Sequence, residues 1–172
     1  MKESIITALL TIIPLAAQSA DFIQTPIREN MDGTVSRALV QQSKNFINMK
    51  FPYEGDTHLD LVIVQTANPV FVETTSPSMI KFMADRGQIY CGSVTQCSLS
   101  YRLDNGPVRK LQFNAQAEDG SSNSAFIDFP ILFAKQLKGK KTLVVEVPFF
   151  QEGKQQFTFD LQKLQPAFVS FK

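Results

Sequence analysis

Asp56, His58 and Asp60 occupy alternate positions of the sequence, the pattern of a strand whose side chains project from one face. Carboxylate and imidazole groups on one face could hold a metal ion. The simpler interpretation is a polar outer face whose neighbours, Leu59 and Leu61, point into a core. His58 is the only histidine of the chain. The pattern therefore predicts a polar strand face, and we expect no metal and no other cofactor.

Two further groups of residues could support hydrolysis. The serine-rich stretch 121–124 offers nucleophiles, but a serine nucleophile needs a base and an orienting group, and the chain has no Gly-x-Ser-x-Gly motif. Glu118, Asp119 and Asp128 could supply paired carboxylates. Acidic residues are common in loops, and the chain has no tryptophan to form a sugar platform. We predict a non-enzymatic protein without catalytic residues; a carboxylate-dependent hydrolase is the least favoured alternative.

Arg102 and Asp104 lie at the end of an alternating stretch, just before Asn105-Gly106. Asn-Gly predicts a tight turn, because such turns need positive φ values. The simplest interpretation of Arg102 is an exposed ion pair with a neighbouring carboxylate, which contributes about 0 to 1 kcal/mol. The functional alternative is recognition of an acidic ligand, so both residues are candidate binding residues.

The chain has two cysteines, Cys91 and Cys97. Two thiols cannot fill a tetrahedral zinc site, and redox-active pairs have two intervening residues. In an oxidising compartment this pair predicts a structural disulfide. The bond would hold the ends of the loop Gly92–Gln96, which makes Val94 and Thr95 candidate binding residues.

The first twenty residues have the layout of a secretory signal peptide. Lys2 precedes an apolar run from Ile5 to Leu15, and small residues follow. The run is shorter than the roughly 20 residues that span a membrane. We therefore predict a signal peptide at 1–20, a single periplasmic or secreted domain at 21–172, and no stable membrane span after cleavage. A buried N-terminal helix of a cytosolic domain is the alternative.

Alternating apolar residues, many turn signals and fifteen phenylalanines predict a mainly β fold. We expect an antiparallel β-sandwich or open barrel of eight to nine strands, with one short helix at 130–138. Its apolar stripe comprises Ile131, Ala134 and Leu137, with Phe133 as an open further member. The expected strands are 46–51, 59–65, 70–74, 79–83, 88–91, 97–103, 110–116, 141–150 and 155–161. Residues 88–91 and 97–103 are expected to pair as a hairpin, residues 76–78 to form a turn, and residues 21–43 to form either a helix or an edge strand.

Adjacent phenylalanines at 149 and 150 lie near the end of a predicted strand. Alternation places one ring inside and one outside, and the outer ring is expected against the helix. The net charge is +1, and no basic block or stripe is present. Nucleic acid is therefore not an expected partner. We expect the partner to be another envelope or secreted protein.

Several stretches together resemble a loose group of uncharacterised exported bacterial proteins. They also look similar to the invasion-associated locus B-like domain and to accessory proteins of type VI secretion. The stretches are 45–55 (NFINMKFPYEG), 87–91, 97–106 (CSLSYRLDNG), 124–127 and 142–164. The resemblance spans about Phe46 to Leu164 and implies a β-sandwich envelope protein of Gram-negative type. It carries over no catalytic residue. Only Cys91, Cys97, Arg102 and Asp104 match recurring positions, and the chain lacks the lipidation cysteine of the secretion accessory proteins.

Three functions follow as hypotheses. The favoured one is an exported, non-enzymatic envelope accessory or protein-binding module. The second is a periplasmic inhibitor or immunity protein that plugs another protein with the loop Gly92–Gln96, since a rigid loop loses little entropy on binding. The third is the hydrolase.

Overall fold

The computed structural model describes residues 23–29, 35–67, 76–91, 97–115 and 123–165. These residues form strands, one α-helix and a short 3-10 turn. The strands are β1 (Ile23–Glu29), β2 (Val35–Gln42), β3 (Ile47–Met49), β4 (Gly55–Thr57), β5 (Leu59–Ala67), β6 (Ser76–Ala84), β7 (Cys97–Leu103), β8 (Arg109–Asn114), β9 (Ser124–Ile127), β10 (Thr142–Phe149) and β11 (Gly153–Asp160). The helix α1 spans Pro130–Leu137, and the 3-10 turn spans Gln162–Leu164.

Nine of these strands form one antiparallel sheet, and β3 pairs with β4 as a separate hairpin. The order in the large sheet is β1-β2-β5-β6-β9-β8-β7-β10-β11. In this order, the eight strands that begin with β2 and end with β11 nearly close into a barrel. Strand β1 pairs with β2 on the edge that faces away from β5. The prediction of a mainly β, antiparallel fold with one short helix is confirmed. Where residues 21–43 are described, they form strands rather than a helix.

The barrel is closed by a short connection after β2, the residues Ser43–Asn45, here called the strap. The backbone N–H of Lys44 donates to the carbonyl oxygen of Thr158 at 2.7 Å. The Asn45 side chain accepts from the N–H of Thr158 at 2.8 Å and donates to the carbonyl oxygen of Gln156 at 2.9 Å. The Lys44 N–H and the Asn45 amide, which both donates and accepts, thus make the hydrogen bonds that a neighbouring strand would make.

The core lies inside the barrel and is built largely from the inward side chains of alternating strands. In β10 every second residue is buried, from Leu143 to Phe149, and β11 continues the pattern. The side chains of Phe82, Phe133, Phe157 and Phe159 are fully buried. Phenylalanine suits this position because it buries a large area without a polar atom that needs a partner.

Helix α1 packs its inner face against the barrel interior. Pro130 occupies its first turn, and Gly139, with φ of +75°, follows its end. The Phe133 ring lies 6.3 Å from the ring of Phe82 and 5.4 Å from that of Tyr101. These aromatic contacts fix the helix to strands β6 and β7.

Part of the predicted helix stripe is wrong. Ala134 and Leu137 are buried as expected, together with Phe133, but Ile131 is exposed. At 100° per residue, Ile131 lies roughly 160° around the helix from Phe133. Both side chains cannot face the barrel in so short a helix, and the larger ring takes the inner position.

The predicted hairpin between residues 88–91 and 97–103 is also wrong. Ile89 forms an isolated bridge with Phe149 in β10, and β7 pairs with β8 and β10 instead. The N–H of Tyr90 donates to the carbonyl oxygen of Pro148 at 2.8 Å. Local alternation predicted the extended segment correctly but could not identify β10, far along the chain, as its partner.

Two local predictions need correction as well. Ser76–Ser78 is the start of β6 rather than a turn, and it lies beside a register shift at Gln65 that accommodates Pro77. The expected strand 70–74 lies outside the described residues.

The positive φ of the 104–106 turn belongs to Asp104, at +49°, while Asn105 has no positive φ. Aspartate tolerates this conformation better than most residues.

Candidate functional site

The Sγ atoms of Cys91 and Cys97 are bonded at 1.97 Å. The disulfide joins the segment beside β10 to the first residue of β7. Both segments therefore keep their positions next to the same strand. The enclosed loop, with the candidate binding residues Val94 and Thr95, lies outside the described residues.

Beside the disulfide lies a group of exposed aromatic rings, here called the aromatic surface: Phe51, Tyr90 and Phe150. The rings of Tyr90 and Phe150 contact each other with centroids 5.7 Å apart. Phe51 is 80% exposed, and Tyr90 and Phe150 are also exposed. As predicted, the pair at 149 and 150 places one ring inside and one outside. The outer ring contacts Tyr90, where the sequence had suggested the helix.

Hydrogen bonds join the three segments that carry the aromatic residues. The N–H of Lys50 donates to the carboxylate of Glu152 at 2.7 Å, which joins the β3–β4 loop to the β10–β11 turn. The N–H of Phe150 donates to the carbonyl oxygen of Gln88 at 2.9 Å. The aromatic surface thus rests on a fixed backbone.

The segment that carries Tyr90 packs closely on the core at Gly87. At Gly87 (φ +86°) a Cβ atom would lie 2.6 Å from the Met49 side chain and 3.2 Å from the Phe149 ring. Only glycine lets the 85–91 segment settle this deeply on the core. The exposed Tyr90 ring is therefore carried by a tightly packed segment.

The second candidate region is a groove on the outer face of the sheet, around Arg102. Its cavity volume is about 120 Å³, and it is lined by Ser100, Tyr101, Arg102, Val108, Val144, Glu146 and Gln156. Arg102 lies opposite Val144 in the register of β7 and β10. Within the described residues its guanidinium has no ion pair or hydrogen bond. An unpaired guanidinium between Val108 and Val144 can accept a carboxylate through two parallel hydrogen bonds.

Asp104 does not pair with Arg102, so the ion pair suggested by the sequence is wrong. Its Oδ1 accepts from the backbone N–H groups of Lys141 at 2.9 Å and Thr142 at 3.0 Å. Its Oδ2 lies 3.8 Å from the Lys140 ammonium group. The two backbone hydrogen bonds hold the pKa of Asp104 below its usual value. Asp104 therefore has a structural role: it fastens the β7–β8 turn to the start of β10.

Glu146, which also lines the groove, is bound by two side chains of the neighbouring strand β11. Its Oε1 lies 3.5 Å from the ammonium group of Lys154, and the Gln156 amide donates to its Oε2 at 3.3 Å. Lys110 donates to the Ser100 hydroxyl at 3.1 Å. Within the described residues, the charged groups of Glu146, Lys154 and Lys110 thus have side-chain partners, and that of Arg102 has none.

Asp56, His58 and Asp60 do not share one strand face, because β4 ends at Thr57 and β5 begins at Leu59. Asp56 accepts from the Asn48 amide at 3.0 Å. The His58 ring nitrogen Nδ1 lies 3.3 Å from the carbonyl oxygen of Ser43. No group of three or more metal-ligating side chains is placed to hold a metal ion within the described part of the chain.

Asp60 has an unusual environment for a carboxylate. Burial raises its pKa above the ordinary value, and the nearby Asp85 adds to the effect. Its Oδ1 is buried without a hydrogen-bond partner. A half-buried carboxylate with these neighbours opposes folding when it is ionised.

Of the three carboxylates considered for hydrolysis, one lies in the described ranges. Asp128 is exposed at the end of β9, while Glu118 and Asp119 lie outside those ranges. Of the serine-rich stretch, Ser124 is buried, and its hydroxyl donates to the Asn123 side chain at 3.3 Å.

Sequence reasoning missed the aromatic surface apart from the ring at 149–150. The alternation predicts that Phe51 lies in one strand with Ile47 and Met49, yet β3 ends at Met49. The signal that could have identified Phe51 was Pro52, which ends regular strand pairing. Tyr90 carried no such signal.

In the described residues, no helix combines the length and the apolar character that crossing a bilayer requires. The chain matches no family model, no curated protein and no solved structure. The resemblance to the invasion-associated locus B-like domain and to type VI secretion accessory proteins therefore stays an expectation.

Proposed function

We propose that this protein is an exported, non-enzymatic binding module of the cell envelope, and that the aromatic surface is its contact with a partner protein. The observation that carries the proposal is the contact between the exposed rings of Tyr90 and Phe150 beside a disulfide, with the exposed Phe51 in a loop joined to the same β10–β11 turn. Aromatic residues are enriched at the centres of protein interfaces and supply much of the binding energy there.

The rigid support of the surface favours binding. The segments that carry Tyr90 and Phe150 are joined by backbone hydrogen bonds, the Phe51 loop is joined to the β10–β11 turn through the Glu152 carboxylate, and the disulfide restrains the segment that carries Tyr90. A surface that is ordered before binding loses little conformational entropy when the partner arrives. A partner with an apolar pocket could therefore bind without rearranging the module.

Export is supported by two features of the chain. A disulfide is characteristic of proteins in oxidising compartments. The first twenty residues have a signal-peptide layout. Together they favour a periplasmic or secreted protein, in agreement with the envelope character that the resemblance implies.

A second candidate function is a periplasmic inhibitor or immunity protein. The position of the Cys91–Cys97 bond favours it, since the bond holds the ends of the loop Gly92–Gln96 next to Tyr90. In this version the loop enters the partner's site, and the aromatic surface forms the rim of the contact.

Affinity capture tests the proposal. The oxidised protein is immobilised and exposed to an envelope extract, and the partner's affinity is then measured with purified components. We expect one stoichiometric partner, and a loss of about ten-fold or more in affinity for Phe51→Ser with Tyr90→Ser. The matched control is Phe46→Ser, which removes an exposed ring elsewhere. Equal affinity of the double variant and the control would overturn the proposal.

The loop separates the two candidate functions. Val94→Ala with Thr95→Ala leaves the aromatic surface intact. A large loss of affinity in this variant would favour the inhibitor, and unchanged affinity would leave the aromatic surface as the main contact.

A further inference from the structure

The outer face of helix α1 carries apolar side chains that the barrel does not cover. Phe129 is 62% exposed, Leu132 is 59% exposed, and Ile131 is exposed as well. They account for three of the eight large exposed hydrophobic residues in the described part of the chain, within four positions. With the inner face fixed by Phe133, this apolar group points away from the protein.

Lysines follow this apolar group along the chain. Lys135 lies on the outward side of α1, and Lys138, Lys140 and Lys141 follow within six residues. Asp128 is the only acidic residue between positions 128 and 141. Lys140 forms an ion pair with Asp104 at 3.8 Å, and Lys138 also has a partner. Lys135 and Lys141 have no ion pair within the described residues. A local positive charge therefore borders an exposed apolar group, although the whole chain is nearly neutral.

We propose that this region docks reversibly on an anionic lipid surface. The region, here called the α1 surface, comprises Phe129, Ile131, Leu132, Lys135, Lys138, Lys140 and Lys141. Its apolar side chains would enter the boundary between headgroups and acyl chains, while the ammonium groups lie among the anionic headgroups. Insertion is shallow because Phe133 and Leu137 hold the helix in the core.

The composition favours a lipid surface over a protein partner. Lysine is depleted in protein interfaces, where arginine and tyrosine are preferred. On lipid, a flexible lysine can extend its ammonium group to a headgroup while its methylene chain covers apolar surface. The α1 surface has four lysines and no arginine or tyrosine, whereas the aromatic surface includes Tyr90.

The position of the α1 surface gives the docking a direction. Its lysine-rich end adjoins Thr142, the first residue of β10, and the aromatic surface adjoins Phe149, the last residue of that strand. Eight strand residues separate these ends by roughly 23 Å. A protein docked through α1 would present the aromatic surface away from the lipid.

Vesicle co-sedimentation of the full, oxidised chain tests the proposal. The probes are vesicles of phosphatidylcholine alone and of phosphatidylcholine mixed with phosphatidylglycerol. We expect binding only to the anionic vesicles, and its loss when the ionic strength is raised to about 0.5 M, where the Debye length is only about 4 Å. Lys135→Gln with Lys141→Gln should weaken binding about 25-fold, from roughly five-fold per lysine.

Phe129→Ser with Leu132→Ser tests the apolar contribution and should weaken binding by about ten-fold or more. The matched control, Phe46→Ser with Lys50→Gln, removes an exposed ring and a lysine elsewhere and should bind like the parent. Circular dichroism checks that each variant is folded. Absence of binding to anionic vesicles, or equal binding by the α1 variants and the control, would overturn the proposal.

A protein interface at α1 gives a different result. If the α1 variants lost the captured envelope protein and the parent did not bind vesicles, α1 would be a protein contact and the lipid proposal would be wrong. Failure of the aromatic-surface variants to affect capture would count against the proposed function alone, since vesicle binding does not involve those rings.

Discussion

The carboxylate of Asp104 lies 2.9 Å from the backbone nitrogen of Lys141, 37 residues further along the chain. The contact joins the β7–β8 turn to the first residues of β10. Since Asp104 also has a positive φ, both its side chain and its backbone favour aspartate at this position.

Replacing this carboxylate should destabilise the fold. We expect Asp104→Ala to lower the midpoint of urea unfolding, because the N–H groups of Lys141 and Thr142 lose their acceptor and alanine disfavours positive φ. Asp104→Asn should lower the midpoint less, since the asparagine side-chain oxygen can still accept a hydrogen bond and asparagine tolerates a positive φ. The control is Asp128→Ala, which removes an exposed carboxylate. A midpoint for Asp104→Ala equal to that of the control would contradict the structural role.

Acid should weaken the fold through the carboxylates whose pKa values are lowered. Hydrogen bonds from backbone N–H groups lower the pKa of Asp104 and of Asp160, and Lys44 contributes to the latter. A lowered pKa stabilises the fold above the unfolded-state pKa, and this stability is lost as the pH falls through the folded-state value. We expect the urea concentration at the unfolding midpoint to decrease when the pH is lowered below about 4. Asp104→Asn should show a smaller fall, and an identical pH profile would argue against the effect.

Asp60 should behave in the opposite way. Burial and Asp85 raise its pKa, so the ionised carboxylate opposes folding at neutral pH and the protonated form does not. We expect Asp60→Asn to be more stable than the parent at pH 7 in urea unfolding. The gain should disappear below about pH 4, where both states of the parent are protonated. The exposed Asp56→Asn serves as control, and a gain that persists in acid would point to a cause other than charge.

Removal of the disulfide should cost moderate stability. For a loop as short as that between Cys91 and Cys97, the chain-entropy model gives about 2 kcal/mol. We expect Cys91→Ala with Cys97→Ala to lower the free energy of unfolding by about that amount. Hydrogen exchange should accelerate at Tyr90, whose N–H donates to Pro148, more than in the hairpin of β10 and β11. Uniform acceleration across the sheet would show that the bond does not act locally.

Local patterns predicted the strands well where their residues alternate. The buried residues of β10 and β11 follow every second position, and the sequence predicted both strands. Their pairing through the Glu152–Gly153 turn was equally local. The disulfide could be predicted because the chain has two cysteines and a signal-like N-terminus.

Long-range relationships could not be predicted in this way. Nothing near Ile89 indicates that its partner is Phe149, and nothing near Asp104 indicates that its carboxylate accepts from the N–H of Lys141. Ile131 was misplaced because helical periodicity alone does not decide which of two apolar residues faces the core. The aromatic surface depends on three distant segments meeting, which no single stretch of sequence encodes.

The strap also affects how the protein behaves at high concentration. An uncovered outer strand offers a row of free peptide groups to any other chain and so promotes aggregation. On β11 the carbonyl oxygens of Gln156 and Thr158 and the N–H of Thr158 are already occupied by the strap. Asn45 therefore protects the protein against edge-to-edge self-association on this side, in addition to completing the fold.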